Sequence, residues 1–152
     1  MGPAVTIYTD GACRGNPGPG GYGIILMSGD HYKELSAGFH YTTNNRMELL
    51  GVIVALESLK IEGSEVTIYT DSRYVADAVT RGWLFNWVNK RFKGKKNPDL
   101  WMRFLEIYHK HKVSFVWLKG HSDHPLNERC DKLAVDASLQ PSLPPDMGYY
   151  PD

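Results

Sequence analysis

A chain of 152 residues that is 42% hydrophobic, 22% charged and 12% aromatic has the make-up of one globular domain burying roughly two-thirds of its unfolded surface, which excludes a disordered, collagen-like or coiled-coil chain and leaves no room for a second catalytic domain. Seventeen basic residues balance seventeen acidic ones, so bulk charge supplies no general attraction to a polyanion. No apolar run approaches the roughly 20 residues of a spanning helix, the first residues lack a basic leader, and Cys13 and Cys130 are spaced for neither a zinc knuckle nor a disulfide scaffold, so a cytoplasmic protein without a membrane partner is expected.

In chain order, Val5 to Asp10 alternates and is β-rich, the stretch Gly15-Asn16-Pro17-Gly18-Pro19-Gly20-Gly21 breaks it, and Tyr22 to Met27 resumes as a second strand. Lys33 to Thr42 reads as a third strand. Met47, Leu50, Ile53, Val54 and Leu56 then recur at helical spacing, predicting a helix from Asn45 to Leu59 with Glu48 on its first turn. Glu65 to Thr70 is a fourth strand, with Asp71-Ser72 opening a helix that Tyr74 to Val79 continues. Asn97-Pro98-Asp99 opens an amphipathic helix through Leu100, Phe104, Leu105 and Tyr108, Val113 to Leu118 is a fifth strand, and Pro125 starts a last helix bearing Cys130, Leu133, Ala134 and Ala137. The order β-β-β-α-β-α-α-β-α predicts a mixed sheet flanked by helices. From Gln140 onward four prolines in thirteen residues read as an irregular or mobile tail, giving a folded unit over 1–138 and a Pro-rich segment over 139–152.

The hexapeptide Val5-Thr6-Ile7-Tyr8-Thr9-Asp10 recurs residue for residue as Val66-Thr67-Ile68-Tyr69-Thr70-Asp71. Two strands with one pattern want one environment, and the intervening helix is a crossover long enough to lay them parallel. Neighbours in register about 4.8 Å apart would send both Asp side chains out at the same sheet edge, where they share a proton or bind a hard divalent cation. Taken singly, Asp10 could close a turn with Gly11, Asp71 could cap a helix, and Asn45-Arg46-Met47-Glu48 has the spacing of a capping box. Gly18-Pro19-Gly20-Gly21-Tyr22-Gly23 matches a dinucleotide-loop pattern but leads into a strand, and His121-Ser122-Asp123-His124 has no partner pair at zinc-ligand spacing. His31, His40, His109 and His111 have no partner pattern and read as surface or packing residues. Between Asp77 and Asp99 there is no acidic residue, while Arg81, Lys90, Arg91, Lys93, Lys95 and Lys96 interleave with Trp83, Phe85, Trp87 and Phe92. Such a basic-aromatic stripe suits a phosphate backbone.

Asp10-Gly11, the Gly15 to Gly23 loop, Thr42-Thr43-Asn44-Asn45-Arg46-Met47-Glu48-Leu49, Thr70-Asp71-Ser72, Lys119-Gly120-His121 and Asn127-Glu128-Arg129-Cys130-Asp131 together resemble the type 1 ribonuclease H family, in its bacterial ribonuclease HI branch. The resemblance runs from about Val5 to Ala137 with the motifs in order. It implies an α/β fold with a ribonuclease H-like five-stranded mixed sheet, first and fourth strands adjacent and parallel. It also implies an endonuclease that hydrolyses the RNA strand of RNA–DNA hybrids, leaving 5′-phosphate and 3′-hydroxyl ends, with a place in DNA replication and repair. Asp10, Glu48, Asp71 and Asp131 become the carboxylates for two Mg²⁺ ions, with Mn²⁺ as a substitute, and His121 an aid to proton transfer or product departure.

By the same resemblance Gly11, Cys13, Asn16, Asn44 and Asn45 read the minor groove, where 2′-hydroxyls are displayed, and Thr43 takes a DNA-strand phosphate. Trp83 to Lys96 corresponds to a basic protrusion, with Trp83 and Trp87 supporting Lys90, Arg91, Lys93, Lys95 and Lys96. Arg73 stands where the family carries glutamine, suggesting phosphate affinity in place of a base-edge contact. Asp123 stands where a small residue is usual, and the segment from Trp87 to Asn97 is shorter than in the best-known bacterial members. A monomer without an obligate protein partner is expected. Two other readings exist: a hybrid-binding module that does not cut has no need of four acidic residues, and a transposase- or integrase-like core would cut DNA and lack the Thr43-Asn44-Asn45 reader.

Overall fold

Buried and half-buried residues alternate along Ala4–Cys13 (β1), with Val5 and Ile7 inside. That is the period-2 signature of a strand with unlike faces. In the computed structural model, which describes residues 2–119 and 124–151, β1 is followed by β2 (Gly18–Ser28), β3 (His31–Thr42), α1 (Asn44–Glu57), β4 (Glu65–Thr70), α2 (Arg73–Thr80), α3 (Trp83–Asn89), α4 (Pro98–Tyr108), β5 (Lys112–Trp117) and α5 (Pro125–Ser138). The strands form one mixed sheet in the order β3-β2-β1-β4-β5. β1 and β4 lie parallel with Val5 opposite Val66 through Tyr8 opposite Tyr69, so the two copies of the hexapeptide are register partners. Their Tyr8 and Tyr69 rings stack at 4.6 Å between centroids.

α1 is buried nearly all round, from Met47 through Leu56, because it is packed between the sheet on one side and α4 on the other. A helix enclosed in this way carries apolar residues on every face, unlike a surface helix with a single apolar stripe. Trp101 and Phe104 of α4 are fully buried against it. α5 covers the opposite face of the sheet across β1, β2 and β3. That approach requires Gly23: a Cβ there would collide with the Cys130 backbone of α5.

Three details depart from the sequence expectation. Trp83–Asn89 is a helix, where only a basic-aromatic stripe was anticipated; it starts at Gly82 without a side-chain cap and buries Leu84 alone. α1 is capped by Thr43, whose hydroxyl accepts the Arg46 N–H at 3.2 Å, and not by a box at Asn45. β2 begins at Gly18, inside the glycine-rich stretch expected to be turn, because Gly20 and Gly21 pair with both β1 and β3.

Residues 140–151 form neither helix nor strand, yet they are held to the body of the fold. The Pro144 carbonyl accepts the His40 N–H at 2.9 Å. The Asp146 carboxylate accepts from the Thr42 hydroxyl and from Arg46 Nε, both at 2.7 Å. Arg46, 1% exposed, also makes a two-pronged bond to Asp99 at 2.8 and 2.9 Å.

Candidate active site

The parallel pairing of β1 and β4 carries Asp10 and Asp71 to the same edge of the sheet, and the second turn of α1 brings Glu48 down onto them. One carboxylate oxygen from each of the three lies within 4.8 Å of the others. Gly11 makes this close approach possible, since a Cβ there would stand 2.6 Å from the Glu48 backbone nitrogen. Its N–H donates to Asp10 Oδ1 at 2.9 Å. Ser72 caps α2 by accepting the Val75 N–H, and Thr70 Oγ1 accepts the Ser72 N–H, so the turn carrying Asp71 is fixed from both ends.

Asp10 and Glu48 are buried, and Asp71 is half-buried. Burial, then the neighbouring Asp71 and Asp131 carboxylates, pushes the Asp10 carboxyl up to about 8. Burial, then Asp10 and Asp71, also holds the Glu48 carboxyl well above the usual range. Asp131, exposed on α5, stands beside Asp10 closely enough to hydrogen-bond its protonated form, but outside the tight group of three. Glu48 Oε1 and Asp71 Oδ1 are buried with no hydrogen-bond partner among the described residues. Buried carboxylate oxygens left without donors, crowded by like charges, are what a hard divalent cation satisfies, so the donor set fits Mg²⁺ or a similar ion.

Several other expected site residues are tied to one another. Asn16 Oδ1 accepts the Asn44 N–H at 3.0 Å, tying the glycine-rich loop to the start of α1. Cys13 Sγ contacts the Thr42 and Gly18 carbonyls at 3.3 and 3.5 Å. Gly11, Cys13, Asn16, Thr43, Asn44 and Asn45 therefore come from the end of β1, the loop after it and the start of α1. Because the Thr43 hydroxyl accepts the capping N–H, its own O–H is left to donate.

The basic stripe is a separate surface. Trp83, Asn86, Trp87, Lys90, Lys93 and Lys95 line a shallow cleft. Lys95 lies 5.3 Å from the Trp87 ring centroid and Arg81 5.7 Å from that of Trp83. Arg91 and Phe92 adopt left-handed backbone, with φ of 52° and 57°, and buried Phe92 anchors the loop while Lys90, Arg91, Lys93, Lys95 and Lys96 stay exposed. His121 and Asp123 lie outside the described residues. Sequence reasoning passed over two residues that support the site: Arg46, whose buried cation braces the start of α1, and Trp117, whose indole N–H donates to the Asp71 carbonyl at 3.1 Å. The signal for Trp117 was a tryptophan ending a strand whose register partner is Thr70, next to Asp71.

The RNase H family model matches residues 2–139. A ribonuclease H of Trichodesmium erythraeum is 57% identical, covering 95% of both chains, and one of Klebsiella pneumoniae subsp. pneumoniae is 50% identical, covering 97% of both. Among solved structures, LC9-RNase H1, described as a type 1 RNase H with the type 2 active-site motif, superposes with a TM-score of 0.82 at 33% identity, over 91% of this chain and 73% of that one. LC11-RNase H1, solved in complex with an RNA/DNA hybrid, superposes with a TM-score of 0.62 at 27% identity, over 88% and 95% of the two chains. A family match running through both Asp-terminated strands and all five helices, with full-length relatives at half identity or better, shows that the chain belongs to the ribonuclease H family of endoribonuclease hydrolases.

Proposed function

We propose that this protein hydrolyses the RNA strand of RNA–DNA hybrids, using metal ions held by Asp10, Glu48, Asp71 and Asp131 and leaving 5′-phosphate and 3′-hydroxyl ends. The observation that carries the reading is the group of three carboxylates, two with unpartnered buried oxygens, on a fold shared with a relative solved on an RNA/DNA hybrid. When bound, two Mg²⁺ ions would lower the pKa of the attacking water and offset charge on the departing 3′ oxygen. Asp10, bordered by Asp71 and Asp131, would be shared by both ions. Asp131, the exposed member, would complete the set that holds them.

The chain's other residues orient the duplex. Asn16, Asn44 and Asn45, with Gly11 and Cys13, present amide and backbone groups suited to the 2′-hydroxyls and base edges of a wide, shallow minor groove. Thr43 donates to a phosphate of the DNA strand. Trp83, Trp87 and the lysines and arginine of the stripe hold that strand's backbone away from the cutting centre, without sequence preference. His121 takes up or delivers a proton near the departing end.

No helix among the described residues is long and apolar enough to cross a membrane, and a cytoplasmic monomer is the proposed working form. The test is cleavage of matched hybrid, RNA and DNA duplexes with and without Mg²⁺ or Mn²⁺, with end-group analysis of the products. Cleavage of the hybrid RNA strand alone, dependent on metal, is expected. Tight hybrid binding without cleavage would make the protein a binding module, and cleavage of the DNA duplex would point to transposase-like chemistry.

A further inference from the structure

Thr70 and Trp117 face each other across the parallel β4–β5 pair, and the next residue, Leu118, donates its N–H to the Thr70 carbonyl at 2.8 Å. The sheet therefore ends at a fixed point, immediately before Asp71. Beyond it the Trp117 indole N–H reaches back to the Asp71 carbonyl at 3.1 Å. The ring of the same indole carries the Arg73 guanidinium, whose central carbon lies 4.3 Å from the ring centroid. Trp117 is 40% exposed and sits on the edge strand, so burial alone does not account for a large aromatic there. Arg73 is exposed, and none of the ion pairs among the described residues includes it. A guanidinium held over an indole face loses part of its freedom and hydration yet keeps its N–H donors, which can receive a phosphate with two parallel hydrogen bonds.

We propose that Trp117 is a positioning residue with two separable roles: its indole N–H fixes the backbone of Asp71, and its ring face holds Arg73 extended beside the carboxylate group to take a backbone phosphate of the bound nucleic acid. The proposal rests on the reading of the site as one that binds and cuts RNA–DNA hybrids. It separates two contributions that a single deletion would merge. The N–H acts on metal binding through Asp71, whereas the ring acts on nucleic-acid affinity through Arg73.

Phenylalanine keeps a ring and removes the N–H, so Trp117→Phe, Trp117→Ala, Arg73→Gln and the Trp117→Ala/Arg73→Gln double variant divide the roles. Hybrid affinity is measured over a range of salt in EDTA, so that no cleavage occurs. Mg²⁺ affinity of the free protein is followed by amide chemical shifts, and thermal melts confirm folding. Trp117→Phe is expected to keep the wild-type salt slope and weaken Mg²⁺ binding about 3- to 10-fold, the worth of one lost hydrogen bond. Arg73→Gln is expected to lower the salt slope by about one unit with Mg²⁺ affinity intact. Trp117→Ala should show the metal defect together with hybrid binding weakened roughly 2- to 5-fold, and adding Arg73→Gln to it should cost less than Arg73→Gln alone. Wild-type Mg²⁺ affinity in Trp117→Phe, or additive losses in the double variant, would overturn the proposal while leaving the hybrid-cutting reading untouched. A wild-type protein that fails to cut hybrid would overturn that reading and this inference with it.

Discussion

Asp10 bears the conflict at the centre of the site, because it is buried and has Asp71 and Asp131 for neighbours. Its ordinary carboxyl value is 3.8 and its folded value about 8, so over that window the metal-free folded chain holds a proton that the unfolded chain releases. The associated stability is fully present below about 4 and is lost as pH rises towards 8. Asp10→Asn removes the charge and keeps the shape. In EDTA at pH 8 it should raise Tm by about 2–4 °C for each kcal/mol of repulsion relieved, and the gain should shrink at pH 5. Mg²⁺ should raise the wild-type Tm and leave the variant's nearly unmoved, with turnover lost by several orders of magnitude. A lower Tm for the variant in EDTA would instead favour a turn-closing role through Gly11. His121 is expected to matter less, since metal-bound water needs no imidazole to ionise. His121→Ala should slow multiple turnover by roughly 10- to 100-fold, at or below the lower end of what a positioned acid or base supplies. A single-turnover rate as low as that of Asp10→Asn would make His121 the general base.

Among the elements, α1 has the most to position, because Glu48, Thr43, Asn44 and Asn45 all belong to its first turns or its cap. Its start is braced by Arg46, a buried cation between Asp99 of α4 and Asp146 of the C-terminal segment. Asp146→Ala leaves Arg46 Nε and the Thr42 hydroxyl without their acceptor, and losing hydrogen bonds to a buried charge costs about 1.5–3 kcal/mol. Urea unfolding should show that loss, and removal of residues 140–152 should show at least as much; a midpoint unmoved by either change would mean the segment contributes nothing to stability. The brace was not legible in the sequence. Four prolines argue against regular structure but say nothing about a single buried carboxylate, and Arg46, Asp99 and Asp146 are joined by tertiary contact alone. α3 was missed for a related reason: its Trp, Phe and Asn residues are weak helix formers, Gly82 gives it no cap, and only Leu84 is buried, so neither propensity nor periodicity marks it. The β1–β4 pair was legible because the repeated hexapeptide specified one environment twice. Glu48 was legible only through the family resemblance, since its spacing from Asn45 taken alone fits a capping box equally well.

Across the whole molecule, zero net charge conceals a separation of charge. Buried and half-buried carboxylates gather at Asp10, Glu48 and Asp71, while Lys90, Arg91, Lys93, Lys95 and Lys96 project from the loop after α3, around a cleft floored by Trp83 and Trp87. A polyanion meeting this surface would be drawn to the loop and repelled by the carboxylates wherever neither protons nor metal neutralise them, so above about pH 8 orientation and metal loading are coupled through charge. Affinity from the loop should then be independent of sequence and steep in salt, because each neutralised phosphate releases condensed counterions. Replacing Lys93, Lys95 and Lys96 by Ala should lower the slope of log affinity against log salt by about 2–3 units, roughly one for each phosphate that a lysine no longer neutralises. Phe92 anchors the loop from within, so the triple variant should keep its fold and its Mg²⁺ affinity. The measurement is hybrid binding in EDTA between low and physiological salt, on several unrelated sequences. A uniform loss across sequences with a shallower slope is the expected result. An unchanged slope would make the lysines solvated surface and move hybrid binding to the Asn16, Asn44 and Asn45 rim.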